Sequence, residues 1–384
     1  MRIAIFDYKT TQNNPTGSCH LRMLRELCEE HEFTVFSVEF ENPNSRRIHW
    51  VKVPIPARPL ALLFVGFHIV APICYWAYRL SGRGRAFDLV QTVESNVCFG
   101  DIVYSHFCHR AYLSRHWRLT RSSWNLRSWL GWLDHKLHSI LEVPVYKRVA
   151  LIVAPSSGLA RELRAEYPFT DSKIRLLANP VEIDRMQKSA GFECSAFRRD
   201  HGLAPDDIVL VFSALGHFER KGLPLLLEAL RMAPQPGVKV AVVGGNSDLI
   251  DVYRARARKL GLGNRVLFTG MQRDVRPWLW TSDALIFPTE YEVFSLALLE
   301  AAAAGLPLIV TAVNGAEEFV VDGENGILIE RTPRGIADGI TRFLRLSPEA
   351  RKNMGECARR DVRRYSVENF VAGWRALYEA EHVA

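Results

Sequence analysis

Residues 288–307 read PTEYEVFSLALLEAAAAGLP, an acidic loop that runs straight into an apolar helix. The apolar run just before it, DALIFPT (283–289), has the length and composition of a buried strand. The helix is expected to start near Phe294. Its first turn leaves backbone N–H groups unpaired and directs partial positive charge toward the strand end, which makes an anion site. Glu292 stands just before that turn, where a carboxylate accepts hydrogen bonds from sugar hydroxyls beside a bound phosphate. Glu300 follows about two turns later on the same helix. Ala301 to Ala304 keep the helix narrow, Gly305 stops it, and Pro307 opens the next strand. Val293 occupies a loop position where glycine is expected. A β-branched residue is strained there only if its φ is positive.

The strand–loop–helix pattern recurs on both sides. RIAIFD (2–7), FTVFSVE (33–39), DLVQTV (88–93), DIVYSH (101–106) and ALIVAPS (150–156) read as buried parallel strands. IVLVFSAL (208–215), VKVAVVGG (238–245), RVLFTG (265–270) and PLIVTAV (307–313) repeat the pattern in the second half. Strands this apolar, separated by helix-length connections, imply parallel sheets covered on both faces. The fold class expected is α/β, with two Rossmann-like domains that bind a ligand beyond the carboxyl ends of their strands, in the cleft between them. The domains expected are 1–180, 181–365 and a C-terminal helix, 366–384, that crosses back to the first.

A chain of 384 residues suits two domains. Its net charge of +7 favours an anionic partner, and its seven scattered cysteines, with no C-x-x-C pair, argue against a structural zinc site or a disulfide framework. The N-terminal MRIAIFDYKT reads as a strand and not as an export signal, so a cytoplasmic location is expected. Residues 59–78, PLALLFVGFHIVAPICYWAY, are long and apolar enough to cross a bilayer, but they interrupt a sheet that continues on both sides. A buried or monotopic helical pair is expected there. In residues 109–138, Arg110, Arg115, Arg118, Arg121, Arg127 and Lys136 alternate with Tyr112, Trp117, Trp124, Trp129 and Trp132. This is the mixture an interfacial helix on anionic lipid needs, and an ordinary amphipathic surface helix shows it too. No nucleic-acid motif accompanies it.

With Glu292, Glu300, Ala301, Gly305 and Pro307 in place, the opening stretch resembles the Glu-x-seven-Glu signature of retaining glycosyltransferases of family 4, which have the GT-B fold. The resemblance implies that Glu292 contacts the donor sugar and Glu300 the ribose, while the amides of Phe294, Ser295 and Leu296 hold the distal phosphate. GHFERKGLPLLLEAL (216–230) resembles the family's R-K-G stretch, so Arg220 and Lys221 would neutralise the diphosphate leaving group; Leu215 lies near where a further arginine is frequent. Gly244 and Gly245 match paired glycines beneath the nucleotide, and Met271, Gln272 and Arg273 match the loop that holds the base. Asn179, in LLANPVEID (176–184), reads as a hinge or turn residue. In NNPTGSCHLRMLREL (13–27), Thr16 replaces the first glycine of a phosphate-facing loop, leaving Gly17 and Ser18 to offer their amides. His106, with His109 second, is the expected histidine on the acceptor side of the reacting carbon.

The resemblance implies a metal-independent transferase with no cofactor, acting on a nucleotide-sugar. The acceptor implied is a glycan or lipid-linked intermediate, and a peripheral position on the inner face of the cytoplasmic membrane is expected. A nucleotide-sugar epimerase of the same fold and a non-catalytic nucleotide-sugar- or membrane-binding subunit are the alternatives.

Overall fold

A computed structural model describes residues 1–56, 60–81, 86–120, 126–232 and 237–383. It divides into two units, Met1–Pro180 together with Val367–Ala384, and Val181–Ser366. In the first unit the apolar runs form β1 (Arg2–Phe6), β2 (Glu32–Ser37), β3 (Ile48–Lys52), β4 (Leu89–Val93), β5 (Ile102–Tyr104), β6 (Leu151–Ala154) and β7 (Ile174–Leu176). They make one seven-stranded sheet in the order β3-β2-β1-β4-β5-β6-β7. Every pairing is parallel, with Ile3 opposite Phe33 on one side and Leu89 on the other. Residues Ile3 to Phe6 of the central strand are wholly buried, which is why that strand reads as an unbroken apolar run.

Helices α1 (Pro15–Leu27), α2 (Leu60–Leu80), α3 (Leu126–Arg148) and α4 (Ser157–Glu166) connect these strands. The expected helical pair at 59–78 is instead the single helix α2, which runs through Pro72. Proline forfeits one backbone hydrogen bond, yet Ala71 and Tyr75 beside it are held in a cluster with Phe6, Phe36, Val53, Leu63 and Phe67. Pro59 lies outside the described residues. Residues 109–138 are not one interfacial helix either. A turn of helix at His109–Ala111 passes into a π-turn at Tyr112–His116, and α3 begins only at Leu126. Trp117 is a core residue, 3% exposed, and Arg115 is paired with Glu166 at 2.9 Å. Arg121, Trp124 and the side chain of Arg127 lie outside the described residues.

The second unit holds β8 (Ile208–Ser213), β9 (Val238–Val243), β10 (Val266–Gly270), β11 (Ala284–Phe287), β12 (Leu308–Thr311) and β13 (Gly326–Ile329). Their order is β10-β9-β8-β11-β12-β13, again parallel throughout. Helices α5 (Leu223–Met232), α6 (Ser247–Lys259), α7 (Leu296–Ala303), α8 (Pro333–Arg345) and α9 (Pro348–Asp361) cover this sheet. The chain leaves β8 toward one edge and returns at β11 beside it, so the strand order reverses between these two. Ligands of open parallel sheets bind beyond such a reversal, because the connecting loops part there.

The last helix, α10 (Val367–Val383), belongs to the first unit and buries Trp374 and Tyr378 completely. Tyr378 Oη donates to Gln91 Oε1 at 2.6 Å, and Gln91 Nε2 lies 2.9 Å from His20 Nε2. His20 Nδ1 lies 2.9 Å from Asp7 Oδ2. With the Gln91 carbonyl engaged by Tyr378, its amide N–H donates to His20 Nε2, so the histidine proton resides on Nδ1 and reaches Asp7.

Candidate active site

The loops after β8 and β11 meet at the strand reversal of the second unit. Gly222 adopts φ +82°, and a Cβ there would lie 2.0 Å from the carbonyl oxygen of Pro288. Glycine is the residue that permits both the dihedral and the approach. Glu290 N then donates to Arg220 O at 2.8 Å, tying one loop to the other. This brings Lys221 Nζ into direct contact with Glu292 Oε1, and Thr289 Oγ1 donates to the same oxygen at 2.9 Å. Thr311 Oγ1 donates to Thr289 O at 2.6 Å and fixes the turn that carries the glutamate.

The two side chains of this pair are only 14% and 11% exposed. Burial, together with the neighbouring Arg220, pulls the Lys221 ammonium down to about 8 against the opposing pull of Glu292. Burial pushes the Glu292 carboxyl up, but Lys221, Arg220 and the hydrogen bonds from Lys221 and Thr289 outweigh it, leaving the carboxyl below its ordinary value. The pair is therefore ionised at neutral pH. Beside it, Arg220 Nε is buried with no hydrogen-bond partner. A buried guanidinium N–H costs free energy until an acceptor arrives, and an anion meets that need best. Arg331 lies 3.2 Å from Glu290 Oε2 and donates to Glu219 O at 3.1 Å.

Val293 is free of the strain its type would suffer at positive φ. Among the described non-glycine residues only Glu94 and His217 have positive φ. Helix α7 starts at Leu296, two residues later than expected, because Ser295 is its N-cap and accepts from Leu298 N at 3.4 Å. Phe294 is a core wedge, edge-on to Tyr365 at 4.9 Å, and the Cβ that Gly315 lacks would lie 2.2 Å from its ring. The first N–H groups of α7 have no acceptor within the helix, so Ser295 and Leu296 lie at its amide-rich end. Glu300 is half-buried on the same helix, and Gly305 ends it at φ +85°.

Gly244 and Gly245 follow β9 with φ of +107° and +86°. Side chains there would meet Ala214 O at 2.0 Å and the Phe218 ring at 2.6 Å, so both glycines seat the loop after β8. After β10, Met271 is 51% exposed, Arg273 is exposed, and Gln272 Nε2 donates to Thr269 O at 2.8 Å. The structure thus brings Arg220, Lys221 and Glu292 together, with the remaining residues of this unit at the ends of adjacent strands.

In the first unit, Gly17, Ser18 and His109 are engaged within the fold. Gly17 N donates to Asn14 Oδ1 at 2.8 Å and Ser18 N to Asn14 O at 2.7 Å, since both lie in the capped first turn of α1. Their amides are already engaged, and Gly17 serves close packing, with a Cβ there 2.2 Å from Lys9 O. His109 is buried. Its Nε2 lies 3.3 Å from Glu94 Oε2, its Nδ1 lies 2.9 Å from His135 Nδ1, and its backbone N donates to Glu142 Oε1 at 2.9 Å. Burial pulls its imidazole down, but Glu94 and Glu142 outweigh that and raise it. His106, two residues past β5, has Nε2 buried without a partner; burial and His20 draw its imidazole down to about 3, so it is neutral.

Ligand atoms of Glu94, His109 and His138 lie within 4.8 Å of one another. The two rings, however, stack at 4.2 Å with planes 4° apart, so their in-plane lone pairs run parallel and do not converge. Both nitrogens of His109 are also hydrogen-bonded, and Ser95 Oγ lies 3.2 Å from His138 Nδ1. Glu94, His109 and His135 thus form one hydrogen-bonded chain, on which His138 stacks while contacting Ser95. Sequence reasoning missed Glu94, His135, His138 and the Glu290–Arg331 pair. Glu290 sits beside Glu292 in the opening stretch, but its partner comes from a distant turn.

Two family models match the chain consecutively. Glycosyltransferase Family 4 covers residues 19–185, and Glycosyl transferases group 1 covers residues 195–361. With two parallel-sheet Rossmann-like units and this site at the strand reversal, the chain belongs to the GT-B glycosyltransferases of this family. The lipopolysaccharide core biosynthesis glycosyltransferase LpsE of Rhizobium meliloti is 34% identical over 140 residues, 36% of this chain and 39% of its own length. The N-acetyl-alpha-D-glucosaminyl L-malate synthase of Bacillus anthracis is 27% identical over 220 residues, 57% of this chain and 54% of its own length. The chain spans about half or less of the length of these two curated relatives. WaaG, a glycosyltransferase involved in lipopolysaccharide biosynthesis, shares the fold at TM-score 0.77 and 18% identity over 97% of this chain and 98% of its own. Anabaena HepE in complex with UDP-glucose shares it at 0.74 and 17% over 99% of this chain and 100% of its own.

Proposed function

We propose that the protein transfers a sugar, with retention of anomeric configuration, from a nucleotide-sugar to a hydroxyl acceptor. The observation that carries this is the buried Lys221–Glu292 ion pair at the strand reversal beside Arg220, whose Nε is buried without a hydrogen-bond partner. Arg220 and Lys221 take up the charge that develops on the departing diphosphate, as a metal ion does in other sites, so no metal or cofactor is required. Glu292 holds the donor sugar, Glu300 the ribose, and the first amides of α7 the distal phosphate. The leaving phosphate assists deprotonation of the acceptor on the face it vacates.

A nucleotide-sugar donor is favoured by HepE, whose structure holds UDP-glucose. The lipopolysaccharide roles of LpsE and WaaG favour a lipid-linked or polysaccharide acceptor at the cytoplasmic face of a membrane. The test is incubation of the protein with UDP-, GDP- and ADP-sugars, with and without membrane extract. Nucleotide release that depends on the extract and is lost in Arg220→Ala and Lys221→Ala is the expected result. An isomerised free donor would reveal an epimerase. Donor-induced thermal stabilisation without turnover would reveal a binding subunit, since a ligand of the folded state alone raises stability.

A further inference from the structure

We propose that the outer face of α2 is a docking surface for an anionic lipid bilayer, on which the helix lies in the plane of the interface. Val65, Ile69, Ile73, Trp76 and Leu80 are 44%, 59%, 61%, 56% and 83% exposed. Their spacing of three and four residues places them along one side of the helix. The other side is equally apolar but is spent on the core, where Leu63, Phe67, Ala71 and Tyr75 pack with Phe6 and Phe36. Residues Leu63–Leu80 have the length and mean hydropathy, 1.3, of a membrane span. A helix that crossed the bilayer would strip the sheet of this cover, so α2 instead lies flat and inserts only its outer stripe. The Arg79 guanidinium lies 5.7 Å from the Trp76 ring centroid, a cation and an indole together as headgroup-level residues are. Helix α3 packs beside α2, with the His138 ring 3.8 Å from Phe64, and exposes Leu126, Trp129 and Leu130.

Charge selects the occupant. The sequence has no Asp or Glu between Glu41 and Asp88, and none between Asp101 and Asp134. Farther along α3, Glu142 is buried and bonded by His109 and Tyr167. Among the described residues, Arg46, Arg47, Lys52 and Arg79 lie in the first of these acid-free stretches, so the chain on either side of α2 is basic, which suits anionic headgroups; a second copy of this chain would bring two like-charged faces together.

The inference deepens the reading of an acceptor presented at a membrane and rests on it for its role. The test is co-sedimentation of the full chain with phosphatidylcholine vesicles, with and without phosphatidylglycerol. Binding to the anionic vesicles, at least about tenfold tighter than to neutral ones, is expected. The variant Ile69→Ser/Ile73→Ser/Trp76→Ser should lose it while keeping its circular dichroism spectrum and its UDP-sugar-induced thermal shift. Lys221→Ala should do the reverse, so a failure of docking is separable from a failure of the donor reading. The proposal is overturned if the triple variant sediments as the wild type does, if neutral vesicles bind equally well, or if light scattering finds a dimer that those substitutions dissociate.

Discussion

Lys221 is where burial and two neighbouring charges compete. Its ammonium titrates at about 8, well below an exposed lysine, and that sets a direction for pH dependence. At pH 7 the cation is present; by pH 9 it is mostly lost, and with it the counter-charge that the proposed transfer assigns to the diphosphate. If the proposed nucleoside diphosphate needs that cation, its affinity measured calorimetrically should fall by about tenfold between pH 7 and pH 9, as expected for one proton. The folding equilibrium moves the other way. Across the interval between the folded value and the ordinary lysine value, the unfolded chain holds more protons, so this group's contribution to stability rises with pH. Glu292 is depressed, so its contribution is present above the ordinary carboxylate range and is lost as pH falls through its folded value. An affinity that stays flat from pH 7 to 9.5 would show that Lys221 does not face the anion. The acidic loop and its R-K-G partner were readable as residue types in sequence, but the dihedral that acquits Val293 was not.

At the scale of the element, the site depends on how closely two loops approach. Gly222→Ala would force a side chain to within 2.0 Å of Pro288 O at a φ of +82°. The loop carrying Arg220 and Lys221 must then move away from Glu292. Since a shift of about 1 Å in catalytic geometry costs about 10²-fold, turnover should drop at least that far, with the donor-induced thermal shift reduced in parallel. Wild-type turnover in this variant would show that the loop contact is dispensable. Most strands and the approximate position of α7 were legible because apolar runs and turn residues act locally, but the edge strands β3, β7 and β13 were not read. Helix α2 was misread as a pair because Pro72 is a strong local stop signal, overridden by Ala71 and Tyr75 in the core.

At the scale of the whole molecule, the C-terminal helix completes the first unit. Tyr378→Phe removes the donor to Gln91 at the head of the relay to His20 and Asp7. It should destabilise that unit by about 1–2 kcal/mol. With two units the unfolding need not be a single transition, so calorimetry should show the shift in one of two transitions, with UDP-sugar stabilisation of the other retained. Movement of both transitions together would mean that the units unfold as one. By itself the sequence determined two series of parallel strands and the loop–helix stretch at 288–307, because hydrophobic periodicity and turn chemistry are properties of neighbouring residues. Tertiary structure alone decided that His109 is closed off by Glu94 and His135, that Asn14 occupies the amides of Gly17 and Ser18, and that α2 leaves an apolar stripe in solvent. Those outcomes depend on which face of each helix meets the sheet and on partners far away along the chain, which local pattern does not encode.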